Sequence, residues 1–338
     1  MKLLPMLRLG IIGCGRVTTM FHLKAIKAAG NIRIIALADN SSRRLQEVKN
    51  ASGVMQGYLD YKDLLKNSEL EAVAINTPPN LHETMVLEAL SMNKHVLCEK
   101  PLAQTINGCR KIEEKQSETG LVVLPTHQYV FSPSLRKMED KFNAGDIGKL
   151  EQIRVSFENN LALYGSKTDF RLKKHNGLVE DVMPHILSVS FLFSGNVMKT
   201  EDVKWWCKSY DICDNMKVKL NAEKNIPIEC SLSWTRLIPQ FKVMLIGSEG
   251  KLSTDLMINP YSYTLEKGEI KKTEKERGID WYLDLAQYKH PAFAELYRHF
   301  SRAVEGLEKQ KITLEDEIAI TRIMDEVTSM LTKEARIN

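Results

Sequence analysis

No apolar run in this chain approaches the roughly 20 residues needed to cross a bilayer, so a membrane-spanning helix is excluded. The opening MKLLPML has one lysine, a proline and too short an apolar stretch for a secretory signal, so it reads as a lead into a first strand and a cytoplasmic location is expected. Cysteine is sparse: six residues (Cys14, Cys98, Cys109, Cys207, Cys213, Cys230) without CxxC spacing, which argues for reduced structural thiols rather than a disulfide framework. Charge of one sign is never concentrated, since 47 basic and 43 acidic residues are mixed along the chain for a net +4. Nothing in that pattern asks for nucleic acid, and the mixed run Lys271 to Arg277 reads as a solvated loop or edge.

What is present suits two globular domains. A length of 338 residues exceeds one ordinary core, and 43% hydrophobic with 27% charged residues is ordinary for a soluble fold. Leu7 to Ile12 is apolar and β-rich apart from Arg8 and Gly10, and Gly13-Cys14-Gly15-Arg16-Val17-Thr18 then opens a segment of helical periodicity. Gly13 suits the tight turn of a dinucleotide-binding unit. Gly15 lets the backbone approach a pyrophosphate, which the amides and dipole of the helix start would stabilise. Thr18 stands where a third glycine is usual, a departure that weakens helix-to-strand packing in that motif.

The next strand, Ile32 to Ala38, ends in Asp39 at the spacing expected of a ribose-binding acid. A carboxylate there accepts from the ribose diol and repels a 2′-phosphate, so NAD is favoured over NADP. Arg43 and Arg44 keep NADP open as a cofactor, but read first as a solvated first turn or face of the following helix. Glu71 to Asn76 gives a further strand, and Thr77-Pro78-Pro79 leaves it extended. Asn80 with Glu83 has the form of a capping box, which puts His82 in a first turn at the surface. In His95 to Leu102, HVLCEKPL, a buried-strand pattern runs into Glu99 and Lys100, and Pro101 stops the ladder. Thr105 to Gly120 reads as a helix and Leu121 to Leu124 as one more strand. The alternation predicts α/β architecture: an N-terminal Rossmann domain, 1–125, with a doubly wound parallel sheet that displays the glycine turn, the TPPN loop and Lys100 at one edge.

Beyond Thr126 the pattern changes. Ile153, Val155 and Phe157, then Cys230, Leu232 and Trp234, then Phe241, Val243 and Leu245 alternate with polar residues. They predict a C-terminal α+β domain, 126–338, built on a large, mainly antiparallel sheet with one buried and one free face. Trp205, Trp206 and Trp234 read as packing residues first and substrate platforms second. Asp181 and His185 precede an apolar run, Ile186 to Phe193, and a helix starting near Asp181 would set both on one face with Pro184 tolerated early. Two such residues are too few for a metal, and none is expected. Pro291 begins a helix with Phe293, Leu296, Tyr297, Phe300 and Val304 inward, and Thr313 with Asp316 caps a last one.

Taken together, GCGRVT, ALAD, INTPPNLH, HVLCEKP, GDIGKLEQI, GLVEDVMPH and IGSEGKL resemble the family of glucose–fructose oxidoreductase, inositol dehydrogenase and rhizopine catabolism proteins (Gfo/Idh/MocA) across nearly the whole chain. The resemblance implies an NAD(P)-dependent oxidoreductase acting on a sugar, a sugar derivative (a nucleotide sugar among them) or a cyclitol. Lys100 matches the active-site lysine of the EKP motif, and Asp181 and His185 match a paired acid and histidine, giving Lys100, Asp181 and His185 as the catalytic set. The expected cofactor-binding residues are Gly13, Gly15, Arg16, Val17, Asp39, Thr77, Pro78, Asn80, His82, Glu99 and Lys100. The resemblance further implies a homo-oligomer, dimer or tetramer, through the C-terminal sheet, and a last helix (about 313–334) returning to the first domain. Departures stand at Asn176-Gly177, Ser188 and Tyr129-Val130-Phe131, where the family often has a glycine pair, an acid and an arginine. The basic residues Lys167, Arg171, Lys173 and Lys174 fit either an anionic substrate or a solvated loop. The rival function is a cofactor-binding regulator without turnover.

Overall fold

The computed structural model describes residues 6–164, 170–173, 176–278, 281–287 and 289–331. The chain divides into two compact units, residues 1–128 with 282–318 and residues 129–281 with 319–338.

Six strands form the sheet of the first unit: β1 (Leu7–Ile12), β2 (Ile32–Ala38), β3 (Gln56–Tyr58), β4 (Ala72–Ile75), β5 (His95–Cys98) and β6 (Val123–Pro125). All pairs are parallel and the spatial order is β3-β2-β1-β4-β5-β6, so the winding reverses between β1 and β4. Ligand crevices of doubly wound sheets open at that reversal, beyond the carboxyl ends of the strands. Central strand β4 is apolar throughout because helices cover both faces, and every residue of it is buried. Those helices are α1 (Leu23–Ala29), α2 (Ser42–Ser52), α3 (Tyr61–Leu65), α4 (His82–Ser91) and α5 (Ile106–Thr119). Thr105 caps α5 by accepting from the Gly108 N–H, and Gly120 ends it in the left-handed region, as the sequence predicts.

The capping box expected at Asn80 does not form. Pro79–Leu81 is a single 3₁₀ turn, α4 starts after Leu81 without a side-chain cap, and Glu83 instead pairs with Lys111 at 3.0 Å. Pro78 is the extended residue before this turn and Pro79 its first member, so Asn80 is already inside a helical turn and cannot occupy the cap position.

The second unit holds an eight-stranded sheet: β7 (Leu150–Asn160), β8 (Val197–Trp206), β9 (Asn215–Ala222), β10 (Pro227–Ser233), β11 (Thr235–Gly247), β12 (Lys251–Asp255), β13 (Ser262–Lys267) and β14 (Ile270–Lys275). Its order is β14-β13-β12-β11-β7-β10-β9-β8, antiparallel except where β10 runs parallel to β7. The predicted alternation holds: Ile153, Val155, Phe157, Cys230, Leu232, Phe241, Val243 and Leu245 are buried. Between them Arg154, Lys217 and Lys242 are exposed, which leaves the opposite face polar. The mixed run 271–277 begins in β14, the edge strand, where alternating lysines and glutamates such as Lys272 and Glu274 pair in solvent.

Helices α6 (Pro133–Asn143) and α7 (Gly177–Ser194) cover the sheet's apolar face. Helix α8 (Trp281–Ala286) spans the change of unit. Helix α9 (Pro291–Val304) belongs to the first unit, where Phe293 stacks on Phe21 with ring centroids 5.1 Å apart and Arg298 donates to the carbonyls of Ala28 and Ala29. In α10 (Leu314–Leu331), Asp316 N–H donates to Thr313 Oγ1 and Thr313 N–H donates to Asp316 Oδ2, the reciprocal cap the sequence predicts.

Candidate active site

The first unit carries the glycine turn at the end of β1. Gly13 has φ +99°, and a Cβ there would lie 2.6 Å from the carbonyl oxygen of Asn76, so no other residue fits. At Gly15 a Cβ would meet nothing within 4 Å, which leaves backbone facing open space of the kind a pyrophosphate requires. Arg16 and Val17 start the following helix, whose first full turn, Thr18–His22, is a π turn. Thr18, expected to weaken the motif, stabilises it: the buried hydroxyl donates to Gly13 O at 2.7 Å and accepts from Asn76 Nδ2 at 3.1 Å. The widened turn makes room for this side chain, and the hydroxyl ties β1 to the end of β4.

Asp39 ends β2 beside that turn. Its carboxylate accepts from the N–H groups of Cys14 and Ser41, both at 2.8 Å, and from Arg44 Nη2 at 2.9 Å. Burial pushes the carboxyl up, but Arg44 and the two N–H donors more than offset it and hold it below the usual carboxylate range. Burial and then the Asp39 charge push the Cys14 thiol up to about 12, so Cys14 is an inert packing group. Arg44 is therefore no member of a merely solvated face, as the sequence suggested; Arg43 is, beside Glu47.

The loops after β4 and β5 are locked together by His82. The sequence put His82 at the surface, yet it is fully buried, with its two ring nitrogens each 2.8 Å from a carbonyl oxygen, Thr77 O and Pro101 O. It thus fixes Thr77, Pro78 and the EKP turn against each other, while Asn80 lies exposed in the 3₁₀ turn. The Lys100–Pro101 peptide is cis. Glu99 points back into the unit, where its Oε1 lies 3.0 Å from Nε2 of His22. Its other oxygen accepts from the Lys100 N–H at 3.3 Å. Gly13, Gly15, Arg16, Val17, Asp39, Thr77, Pro78, Glu99 and Lys100 all follow strand ends on one side of this sheet.

In the second unit, Asp181 and His185 stand one turn apart on α7. The helix starts at Gly177, earlier than the sequence suggests, so Pro184 lies within it. A Cβ on Gly177 would lie 2.1 Å from Arg171 O, which explains the retained glycine of the Asn176-Gly177 pair. The Asp181 carboxylate accepts from Arg171 Nη1 and from the indole N–H of Trp234, each at 3.3 Å. Trp234 is thus more than packing. His185 is buried in an aromatic cage, with Phe157 stacked on it at 5.4 Å and Tyr129 edge-on at 5.1 Å. Arg171 serves Asp181, Lys173 closes the short turn 170–173, and Lys167 and Lys174 lie outside the described residues.

Sequence reasoning missed His22, Tyr297, Arg44, Tyr129, Phe157 and Trp234. Each acts through a partner distant in sequence or one helical turn away. A nicotinamide dinucleotide fits the first unit on its own geometry: the space at Gly15, the helix start behind it and Asp39 at the end of the neighbouring strand.

Comparison with known proteins agrees. The family described as "Oxidoreductase family, NAD-binding Rossmann fold" matches residues 7–127. A myo-inositol 2-dehydrogenase of Thermotoga maritima is 27% identical over 150 residues, 44% of this chain and 45% of that protein. A D-apiose dehydrogenase of Paraburkholderia graminis is 25% identical over 249 residues, 72% of this chain and 66% of that one. The matched stretch therefore spans less than two thirds of either relative. Among solved structures, an NAD binding oxidoreductase from Klebsiella pneumoniae superposes with a TM-score of 0.85 at 17% identity, covering 97% of this chain and 98% of that one. A 3-ketoreductase from Actinomadura kijaniata, in complex with NADP and TDP-benzene, gives 0.79 at 20% identity, covering 96% and 97%. At such identities the likeness shows the fold. Over residues 7–127, its Rossmann unit, the chain is similar to the Gfo/Idh/MocA family of oxidoreductases.

Proposed function

We propose that this protein is an NAD(P)-dependent oxidoreductase that transfers a hydride between the nicotinamide and a hydroxyl or keto carbon of a sugar, a sugar derivative or a cyclitol. The observation that carries this reading is the Gly13–Gly15 turn with Asp39 at the end of β2 and Lys100 beyond β5, on one sheet edge. The substrate class follows the relatives, which include dehydrogenases of myo-inositol and D-apiose.

When bound, the nicotinamide supplies the hydride acceptor or donor. In our reading the chain does the rest. Gly13, Gly15, Arg16 and Val17 hold the pyrophosphate, Asp39 takes the ribose hydroxyls, and Thr77, Pro78, Asn80 and His82 shape the loop beside them. His185 takes the substrate hydroxyl proton at its imidazole as general base, its cage excluding water. Lys100 donates a hydrogen bond to a substrate oxygen and stabilises its developing charge. Asp181, fixed by Arg171 and Trp234, orients the substrate.

NAD is the cofactor we favour, on Asp39, although Arg44 gives a 2′-phosphate a partner close by. The polar sheet face that carries Arg154, Lys217 and Lys242 is our candidate for pairing with a second copy, as dimer or tetramer, and light scattering of the purified protein tests it. A cytoplasmic setting suits the buried thiols Cys14, Cys98, Cys109, Cys213 and Cys230.

The function is tested by titrating the protein with NADH and NADPH by fluorescence and then assaying a panel of polyols, sugars, keto-sugars and nucleotide sugars. Saturable binding with turnover of at least one class supports the enzyme. Binding without turnover across the panel would favour the regulator, and no binding would overturn both.

A further inference from the structure

One peptide unit of the glycine turn is held at both ends, and one of its holders stands where the usual motif has a glycine. The carbonyl of Gly13 accepts from Thr18 Oγ1 at 2.7 Å. On the other side of the same peptide, the Cys14 N–H donates to Asp39 Oδ2 at 2.8 Å. The peptide is a rigid plane, so it cannot turn without losing one of these bonds. Directly after it comes Gly15, where the backbone faces open space.

The Thr18 hydroxyl is itself fixed. Thr18 is fully buried, and Asn76, 6% exposed, donates to it from Nδ2 at 3.1 Å. Because that amide nitrogen only donates, the single hydroxyl proton is left for Gly13 O. Asn76 is tied in turn to β1, its N–H donating to Ile12 O at 2.8 Å. In the usual motif the third glycine brings helix and strand close together. Here the turn Thr18–His22 is a π turn, and a side chain with a hydrogen bond on either side fills the wider gap. A glycine at position 18 would leave the buried Gly13 carbonyl and the Asn76 amide without that partner.

We infer that Thr18 is a positioning residue for the dinucleotide: its hydroxyl sets the Gly13–Cys14 peptide and so aims the Gly15 backbone and the helix start at the pyrophosphate. The inference rests on the dinucleotide-binding part of the proposed function and on nothing in the substrate chemistry. It implies that restoring the motif's own glycine weakens binding.

The test is fluorescence titration of the full chain with NADH, with competition by ADP-ribose, which carries the pyrophosphate, and by adenosine, which carries none. All titrations are run where circular dichroism shows each variant fully folded, so a role in stability alone leaves the affinities unmoved. Thr18→Val keeps the side-chain shape without the hydroxyl, and Thr18→Gly installs the motif residue. Both are expected to weaken NADH and ADP-ribose about tenfold, in line with loss of a buried hydrogen bond. Adenosine is expected to weaken by no more than about twofold, since Asp39 keeps its bonds to Ser41 and Arg44. Thr18→Ser retains the hydroxyl and is expected within about threefold of wild type. NADH affinity within about twofold of wild type in Thr18→Val or Thr18→Gly overturns the inference. So does an equal loss for ADP-ribose and adenosine, or a Thr18→Ser as weak as Thr18→Val. If neither Thr18→Val nor Thr18→Gly accumulates folded, Asn76→Ala carries the test, with NADH about threefold weaker expected and an unchanged affinity overturning it. Wild type that binds neither NADH nor NADPH would sink the dinucleotide reading and this inference with it, an outcome that the wild-type titration alone identifies.

Discussion

Arg44 lays its guanidinium on the Asp39 carboxylate, Nη2 2.9 Å from Oδ1, with the arginine side chain 45% exposed and that of the aspartate only 6%. The acid is fixed and the base is free to leave it. In the proposed function Asp39 sets ribose recognition, and Arg44 governs how severely a 2′-phosphate is rejected. Replacing Arg44 by Ala is expected to weaken NADPH about tenfold and NADH by no more than about threefold, in line with loss of one charged hydrogen bond. Asp39→Ala is expected to weaken NADH at least about tenfold. Equal losses for the two nucleotides in Arg44→Ala, measured by fluorescence titration, would contradict this assignment.

The start of α7 depends on a missing side chain. With Arg171 O only 2.1 Å from where a Cβ would stand, Gly177→Ala must push the 170–173 turn away from Trp234 and Asp181. We expect a loss of about 2–4 kcal/mol in urea denaturation. Gly145→Ala, at φ +79° but with nothing within 4 Å, should cost about 1 kcal/mol, the left-handed penalty alone. Similar values for the two would show that the approach at Gly177 relaxes easily.

Acid should destabilise the first unit in two stages. His95 accepts the Val122 N–H at Nδ1, and burial holds its pKa below the ordinary 6.5. Burial does the same to His299, against the pull of Glu308. For both, the unfolded chain binds protons first, so stability present above about pH 6.5 is lost as pH falls toward the lower folded values. Asp39 and Glu99, held below their usual range, contribute stability that is present above about pH 4.5 and lost as pH falls through their folded values. Thermal melts should be flat near pH 7 to 8, decline below 6.5 and decline again below 4.5. In His95→Gln the first decline should shrink while the second persists; an unaltered first decline would remove His95 from the account.

Much of this was legible in the sequence because its signals are local. Apolar runs set between Gly13, Asp39, Pro78 and Pro101 mark strand ends, and a period of two marks β7, β10 and β11; both survive into the structure. The capping box at Asn80 failed because Pro79, well suited to the first position of a helical turn, starts the turn one residue too early. Thr18 was misjudged for a related reason: the motif's third glycine serves packing, and a π turn is another way to make space. His82, Arg44 and Trp234 escaped because the pattern of a segment says which way a residue faces, not which distant carbonyl or carboxylate awaits it. Tyr297 was read as an inward residue of a helix, which it is; its hydroxyl reaching His22 is a contact across most of the chain.

The proposed function assigns the substrate proton to His185. It is tested most directly by comparing wild type with His185→Asn, a near-isosteric change in the cage of Phe157 and Tyr129, on whichever panel substrate is turned over. The account predicts NADH affinity within about twofold of wild type and turnover lower by at least about a hundredfold. Equal turnover in the two proteins would contradict it.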